Sequence, residues 1–146
     1  MPDRVVLDAS VAVELVVPGD FSRQALRLLA DWRDRKVVLL APTLWAYEVT
    51  SALRKQTCAG RVDAVQAGLA LDRLLRLEVE LVPPSADLQR RAIWWSARTN
   101  QRAAYDAAYL AVTEHVDGTF WTLDRRLFEA ARGAGASWVY HVGTDE

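Results

Sequence analysis

Cysteine and histidine are scarce in this sequence. The chain contains one cysteine, Cys58, and two histidines, His115 and His141. A single thiol cannot form an internal disulfide, and these three residues are too few for a zinc site of the usual Cys/His kind. Any bound metal ion would therefore be held by oxygen ligands.

Long apolar runs are also missing. Nowhere do 18 apolar residues follow one another, and the first ten residues, MPDRVVLDAS, include an aspartate and no long apolar core. This pattern predicts neither a signal peptide nor a transmembrane helix. We therefore expect a protein of the cytoplasm with no membrane association.

Charge of one sign does not dominate the sequence. Eighteen basic and 19 acidic residues give a net charge of −1, so the overall field does not indicate nucleic-acid binding. Lys36 and Lys55 are the only lysines in the sequence. The other basic residues are arginines, whose guanidinium groups suit bidentate phosphate contacts. Judged from the excess of arginine alone, arginines on solvated helix faces are a better explanation than phosphate binding.

Length and composition are those of one compact domain. The chain has 146 residues, of which 51% are hydrophobic and 25% charged, and it shows no internal repeat, low-complexity tract or linker. We expect a single domain over residues 1–146.

Short apolar runs alternate with segments of helical periodicity. The first helix is expected to be capped by Ser10, and Pro42 is expected among the first residues of the third. Strands that are apolar throughout and separated by helices indicate a parallel sheet covered on both faces. The predicted fold is α/β, a three-layer α/β/α sandwich with a mainly parallel sheet of four to five strands. The predicted strands are 4–8, 37–41, 79–83, 118–124 and 137–142.

Two aspartates follow predicted strands. Asp8 comes at the end of the first strand, and Asp124 ends the segment FWTLD. Ligands of open parallel sheets gather at the carboxyl ends of the strands, so both carboxylates are expected on one rim. Taken singly, either aspartate is better explained as a helix N-cap.

Two further acids lie in helices among apolar or small neighbours. Glu48 and Asp106 are both expected to face inward because their neighbours three and four positions away are mostly apolar or small. Burying a carboxylate costs several kcal/mol or more unless a partner compensates. One explanation is an ion pair, for which Arg54 or Arg102 could serve.

The four acids together indicate a cation site. If Asp8, Glu48, Asp106 and Asp124 converge, their repulsion protonates some of them unless a multivalent cation lies between them. Oxygen ligands select magnesium or manganese, and such a site activates water for phosphodiester hydrolysis. This conclusion assumes that the four acids lie close together in the fold.

Four segments in this order resemble the PIN-domain nucleases, and in particular the VapC-type toxins of bacterial toxin–antitoxin pairs. The segments are LDAS, WAYEVTSALRK, YDAAYLAVT and TLDRRLF. The resemblance covers nearly the whole chain. It implies a PIN α/β/α sandwich and a magnesium- or manganese-dependent endoribonuclease that leaves the phosphate on the 5′ side. It also implies a homodimer and a bound antitoxin that neutralises the toxin.

The resemblance also implies roles for single residues. Asp8, Glu48, Asp106 and Asp124 match the family's acidic catalytic pocket, with Asp8, Asp106 and Asp124 as metal ligands. Ser10 and Thr122 match its polar supporting residues. Some relatives carry a further acid just after the last motif, where this chain has Arg125 and Arg126. The resemblance therefore leaves open whether one or two ions bind.

Other parts of the chain are candidates for binding partners. Arg98, Arg102 and Arg125 could contact RNA, although solvated arginines are an equally good explanation for the loop before Asp106. The helices at 21–33 and 62–77 carry many apolar positions and could contact an antitoxin if they are partly exposed.

Two functions of other classes are the alternatives. A phosphoacceptor or phosphatase domain would need a second acid close to Asp8 and a lysine, neither of which the sequence supplies nearby. A catalytically silent binding module would use the same acids as helix caps and in ion pairs. The sequence specifies neither the RNA target nor the antitoxin.

Overall fold

The structure is a computed structural model that describes residues 2–144. This part of the chain forms five strands, β1 Arg4–Leu7, β2 Val38–Pro42, β3 Glu80–Val82, β4 Thr119–Thr122 and β5 Val139–His141. It also forms seven helices, α1 Ala9–Glu14, α2 Ser22–Asp34, α3 Leu44–Cys58, α4 Ala64–Leu75, α5 Ala86–Arg98, α6 Tyr105–Val116 and α7 Arg125–Gly133. Within residues 2–144 no helix is both long enough and apolar enough to cross a membrane.

The five strands form one parallel sheet in the order β3-β2-β1-β4-β5. At its centre, Val6 of β1 pairs with Leu40 on one side and Phe120 on the other. The chain runs outward from β1 to β3 and then returns to the other side of β1 to form β4. This reversal leaves a crevice at the carboxyl ends of β1 and β4, the place where ligands of such sheets bind.

Helices cover both faces of the sheet. Phe120 and Trp121 are neighbours on β4 and therefore point to opposite faces. Tyr109 of α6 stacks on Phe120 with 5.5 Å between ring centroids, and Trp32 of α2 meets Trp121 edge-on at 5.8 Å. The predicted three-layer α/β/α fold with a parallel sheet is thus confirmed.

Two predicted boundaries were wrong. Asp8, and not Ser10, is the N-cap of α1, because its extended backbone precedes the helix and its side chain accepts a hydrogen bond from the Val11 N–H. Pro42 ends β2 instead of opening α3. Proline has no N–H to donate, and the next link to β3 comes from the N–H of Thr43, the N-cap of α3.

Gly118 permits the close approach of β4 to β1. A Cβ atom at this position would lie 2.6 Å from the backbone oxygen of Arg4, well inside van der Waals contact. The register that brings the ends of β1 and β4 together therefore depends on a residue without a side chain.

Candidate active site

Asp8 is a partly buried carboxylate at the end of β1. Its Oδ1 accepts hydrogen bonds from the Ser10 hydroxyl at 2.5 Å and the Val11 N–H at 3.2 Å. Its Oδ2 accepts one from the Thr122 hydroxyl at 2.5 Å. Burial nonetheless raises the pKa of Asp8 to about 6, because desolvation outweighs these donors. Asp8 therefore ionises at a cost to the folded state.

The two hydroxyls that donate to Asp8 also fix the loop after β4. Ser10 Oγ accepts the Leu123 N–H at 3.1 Å, and Thr122 Oγ1 accepts the Asp124 N–H at 3.0 Å. Thr122 is fully buried. The predicted supporting residues thus connect Asp8 to the loop that carries Asp124.

Asp124 is exposed and caps α7, since its Oδ1 accepts the Leu127 N–H at 3.1 Å. Asp8 has the same relation to α1. The cap explanation for each aspartate taken singly is therefore correct. It does not account for the charge, because asparagine caps a helix about as well as aspartate.

Glu48 and Asp106 are partly buried in helices α3 and α6. Glu48 Oε1 accepts a hydrogen bond from the Tyr109 hydroxyl at 2.7 Å. Burial raises the pKa of Glu48, and the Asp106 charge raises it further. Burial and the charge of Asp124 likewise raise the pKa of Asp106. Among the described residues neither acid forms a salt bridge, so the ion-pair explanation was wrong.

Three of the four acids share one cleft. Glu48, Asp106 and Asp124 line one cleft of about 730 Å³. Asp8 lies within electrostatic reach of this cleft, because the Asp106 charge contributes to its raised pKa. Asp106 thus interacts with each of the other three acids. The fold therefore brings three of the four acids into one cleft and places Asp8 near it.

The donor set fits a hard divalent cation, although the carboxylates do not yet surround one. Within residues 2–144, no three acidic, histidine or cysteine side chains are arranged to share a metal ion as they stand. One oxygen of Asp8 and one of Asp124 accept the cap N–H groups of α1 and α7. A nearby cation would stabilise the ionised forms of Asp8 and Asp106, whose pKa values are raised. Asp8, Asp106 and Asp124 are the residues that could hold it.

The structure separates the candidate RNA-binding arginines. Arg102 lines the cleft, as does Arg126, which the sequence analysis did not select. Arg125 lies 3.8 Å from Glu129, and the Arg98 guanidinium lies 4.6 Å from the ring centroid of Trp94. The sequence shows that two arginines follow Asp124. Which of the two lines the cleft depends on where helix α7 begins.

Comparison with known proteins assigns the family. The model of the PIN domain matches residues 5–133. The chain is 32% identical to ribonuclease VapC3 of Pyrobaculum aerophilum over 126 residues, which cover 86% of this chain and 93% of that protein. The chain belongs to the PIN domain family and is of the VapC type. This confirms the family resemblance seen in the four sequence segments.

Solved structures share the fold of this PIN domain. The crystal structure of PAE2754 from Pyrobaculum aerophilum superposes with a TM-score of 0.67 at 24% identity, over 97% of this chain and 91% of that one. That of Mycobacterium tuberculosis VapC20, described as a sarcin–ricin loop cleaving toxin, gives 0.61 at 21% identity, over 81% and 86%. At these identities the likeness concerns the fold.

Proposed function

We propose that this PIN domain is an endoribonuclease that hydrolyses phosphodiester bonds in RNA and acts as the toxin of a toxin–antitoxin pair. The observation that carries the proposal is that Glu48, Asp106 and Asp124 line one cleft, with Asp8 close enough for its pKa to be raised by the charge of Asp106. The similarity of this chain to a protein named as a ribonuclease supports the same activity. We also propose that residues 1–146 form one domain and that the protein is located in the cytoplasm.

Each acid has a proposed role. Asp8, Asp106 and Asp124 would hold Mg²⁺ or Mn²⁺, which when bound would neutralise phosphate charge and lower the pKa of water. Glu48 accepts a proton from the attacking water, because its raised pKa makes it a better base than an ordinary glutamate. Ser10 and Thr122 keep Asp8 oriented.

Arg102 and Arg126 are proposed to bind the RNA backbone. Both line the cleft with the acids, and within the described chain neither forms a salt bridge. A guanidinium without a protein partner is available for bidentate contact with a phosphate. Arg98 and Arg125 remain secondary candidates because each already contacts a neighbouring side chain.

The experiment that tests the nuclease uses purified protein with Mg²⁺ or Mn²⁺ and a panel of RNAs, including an oligonucleotide with the sarcin–ricin loop. We expect cleavage that EDTA abolishes, with a 5′ phosphate on the downstream product. Asp106→Asn should be inactive, whereas Asp117→Asn, at an exposed position after α6, should retain full activity. Equal activity of these two variants would remove Asp106 from the mechanism.

One observation favours the silent binding module as the second candidate: Asp8 and Asp124 both cap helices. Asp124→Asn separates the two functions, because asparagine preserves the cap and removes the charge. The nuclease predicts lost cleavage with unchanged stability. The binding module predicts no RNA cleavage by any variant and unchanged partner binding.

We further propose that an antitoxin covers exposed apolar side chains of α2 and α4. Leu26 of α2 and Val65, Leu69 and Leu75 of α4 are exposed. Large apolar side chains that are exposed together often mark a surface that a partner protein covers. Leu69→Lys should weaken capture of a co-encoded small protein without changing RNA cleavage, as measured by co-purification and activity assays.

A homodimer is proposed at a different surface. An apolar groove of about 610 Å³ lies between the amino ends of α3 and α6 and the face of α5, and its wall includes Leu44, Leu88, Ile93 and Tyr105. Ile93 is 67% exposed. Light scattering should find a dimer for the wild type and a monomer for Ile93→Lys.

A further inference from the structure

Tyr109 lies beneath the acid cleft. Its side chain is 1% exposed, and its ring stacks on Phe120 of β4. From this position its hydroxyl donates a hydrogen bond to Glu48 Oε1 at 2.7 Å, joining α6 to α3 across 61 positions of sequence. The contact is therefore set by the tertiary fold and not by local sequence.

The surroundings of Tyr109 keep its phenol protonated. Burial raises its pKa above the ordinary value, and the charges of Glu48, Asp8 and Asp106 raise it further. The hydroxyl proton thus stays on the oxygen and remains available for donation. Proximity to three of the four acids also places Tyr109 at the base of the acid cluster.

Tyr109 is the partner that orients Glu48. In the described part of the chain the Glu48 carboxylate accepts one side-chain hydrogen bond, from Tyr109, and forms no salt bridge. A glutamate side chain has several rotatable bonds, and without this donor the repulsion of Asp106, which exceeds the attraction of Lys55, favours rotamers that carry the Glu48 charge away.

We propose that Tyr109 is a positioning residue whose hydroxyl holds the Glu48 carboxylate inside the acid cleft. The inference rests on the proposed function, in which Glu48 accepts a proton from water during RNA cleavage and its charge, which interacts with that of Asp106, adds to the attraction of the cleft for a cation. Hydrogen-bond partners of this kind typically change metal affinity or activity by about 10- to 100-fold when they are removed.

The test is a double-mutant cycle with Tyr109→Phe, Glu48→Gln and the double variant. Phenylalanine keeps the ring on Phe120, and near-ultraviolet circular dichroism checks that the fold is unchanged. The two measurements are the dissociation constant for Mn²⁺ and the single-turnover rate of RNA cleavage. Tyr47→Phe is the matched control, since Tyr47 precedes Glu48 on α3 but is 79% exposed.

We expect Tyr109→Phe to weaken Mn²⁺ binding and slow cleavage, each by about tenfold, and to have no further effect in the Glu48→Gln background. Tyr47→Phe should change neither. A residue that merely supports the fold would act equally in both backgrounds.

The outcomes separate this proposal from the nuclease. Equal losses with and without Glu48, or no loss at all, would overturn the positioning role and leave the nuclease intact. Coupled changes in Mn²⁺ affinity with no RNA cleavage by the wild type would support the positioning role and overturn the nuclease. Absence of Mn²⁺ binding by the wild type would overturn both.

Discussion

Substituting Asp8 by asparagine should make the metal-free protein more stable at neutral pH. Burial raises the pKa of Asp8 from 3.8 to about 6, so the folded chain retains its proton where the unfolded chain has lost it. Stability from this group is therefore greatest below about pH 4 and falls as pH rises through the folded pKa. A difference of roughly two pKa units corresponds to about 3 kcal/mol of lost stability at pH 8.

Asparagine does not ionise, so Asp8→Asn avoids the free-energy cost of burying a charge. The substitution has a smaller cost of its own. It preserves the cap of α1, but its amide nitrogen replaces one acceptor oxygen of the carboxylate. Losing one neutral hydrogen bond costs about 1 kcal/mol. Asp8→Asn should then be about 2 kcal/mol more stable than the wild type at pH 8 and about 0.5 kcal/mol less stable near pH 4, where the wild type has already lost part of its stability.

The assay is urea unfolding of both proteins in EDTA between pH 4 and pH 8, followed by the same series with Mn²⁺. The difference in unfolding free energy should change sign between about pH 4 and pH 5. Manganese should stabilise the wild type more than the variant, because it binds the folded acids. A variant that is less stable than the wild type at pH 8 would refute the reasoning, since the donors from Ser10, Val11 and Thr122 would then outweigh burial.

Three further results are expected. Asp124→Asn should abolish RNA cleavage while its unfolding free energy stays within about 0.5 kcal/mol of the wild type, because the cap is preserved. Gly118→Ala should destabilise the protein by about 1 to 3 kcal/mol in urea, because the new Cβ meets the backbone of β1, whereas Gly68→Ala, with open space around it on α4, should stabilise it. Arg126→Ala should weaken RNA binding and lower its salt dependence more than Arg125→Ala does, as titrations at several salt concentrations would show. An equal effect of both arginine variants would remove the cleft-lining position as the explanation.

The sheet was predictable because each of its strands lies in a nearly continuous apolar run. Parallel strands buried on both faces read as continuous apolar runs, and all five runs became strands at or within two residues of the predicted bounds. Boundaries were less certain where one residue suits two elements. Pro42 opens helices readily, yet its missing N–H is equally tolerated at the end of a strand.

The four acids could be selected as candidates from the sequence because each follows a strand or interrupts an apolar helix face. Their contacts were not. Tyr109 meets Glu48 only because α6 and α3 pack beside each other, and Arg126 faces the cleft only because α7 begins directly after Asp124. Helical spacing gives relative directions around one helix, whereas the rotation of one helix against another depends on packing.

Asp8, at the end of β1, argues for function more strongly because it is also a cap. Asparagine or serine would satisfy the N–H groups of α1 without burying a charge. Aspartate at position 8 should instead make the metal-free protein about 2 kcal/mol less stable than asparagine would at pH 8, a large share of what keeps a domain of this size folded. Capping therefore explains why a short polar residue stands there, but not why it is acidic. We expect a cation bound beside this carboxylate to offset that loss, which would give the acid at position 8 a physical reason that the cap lacks.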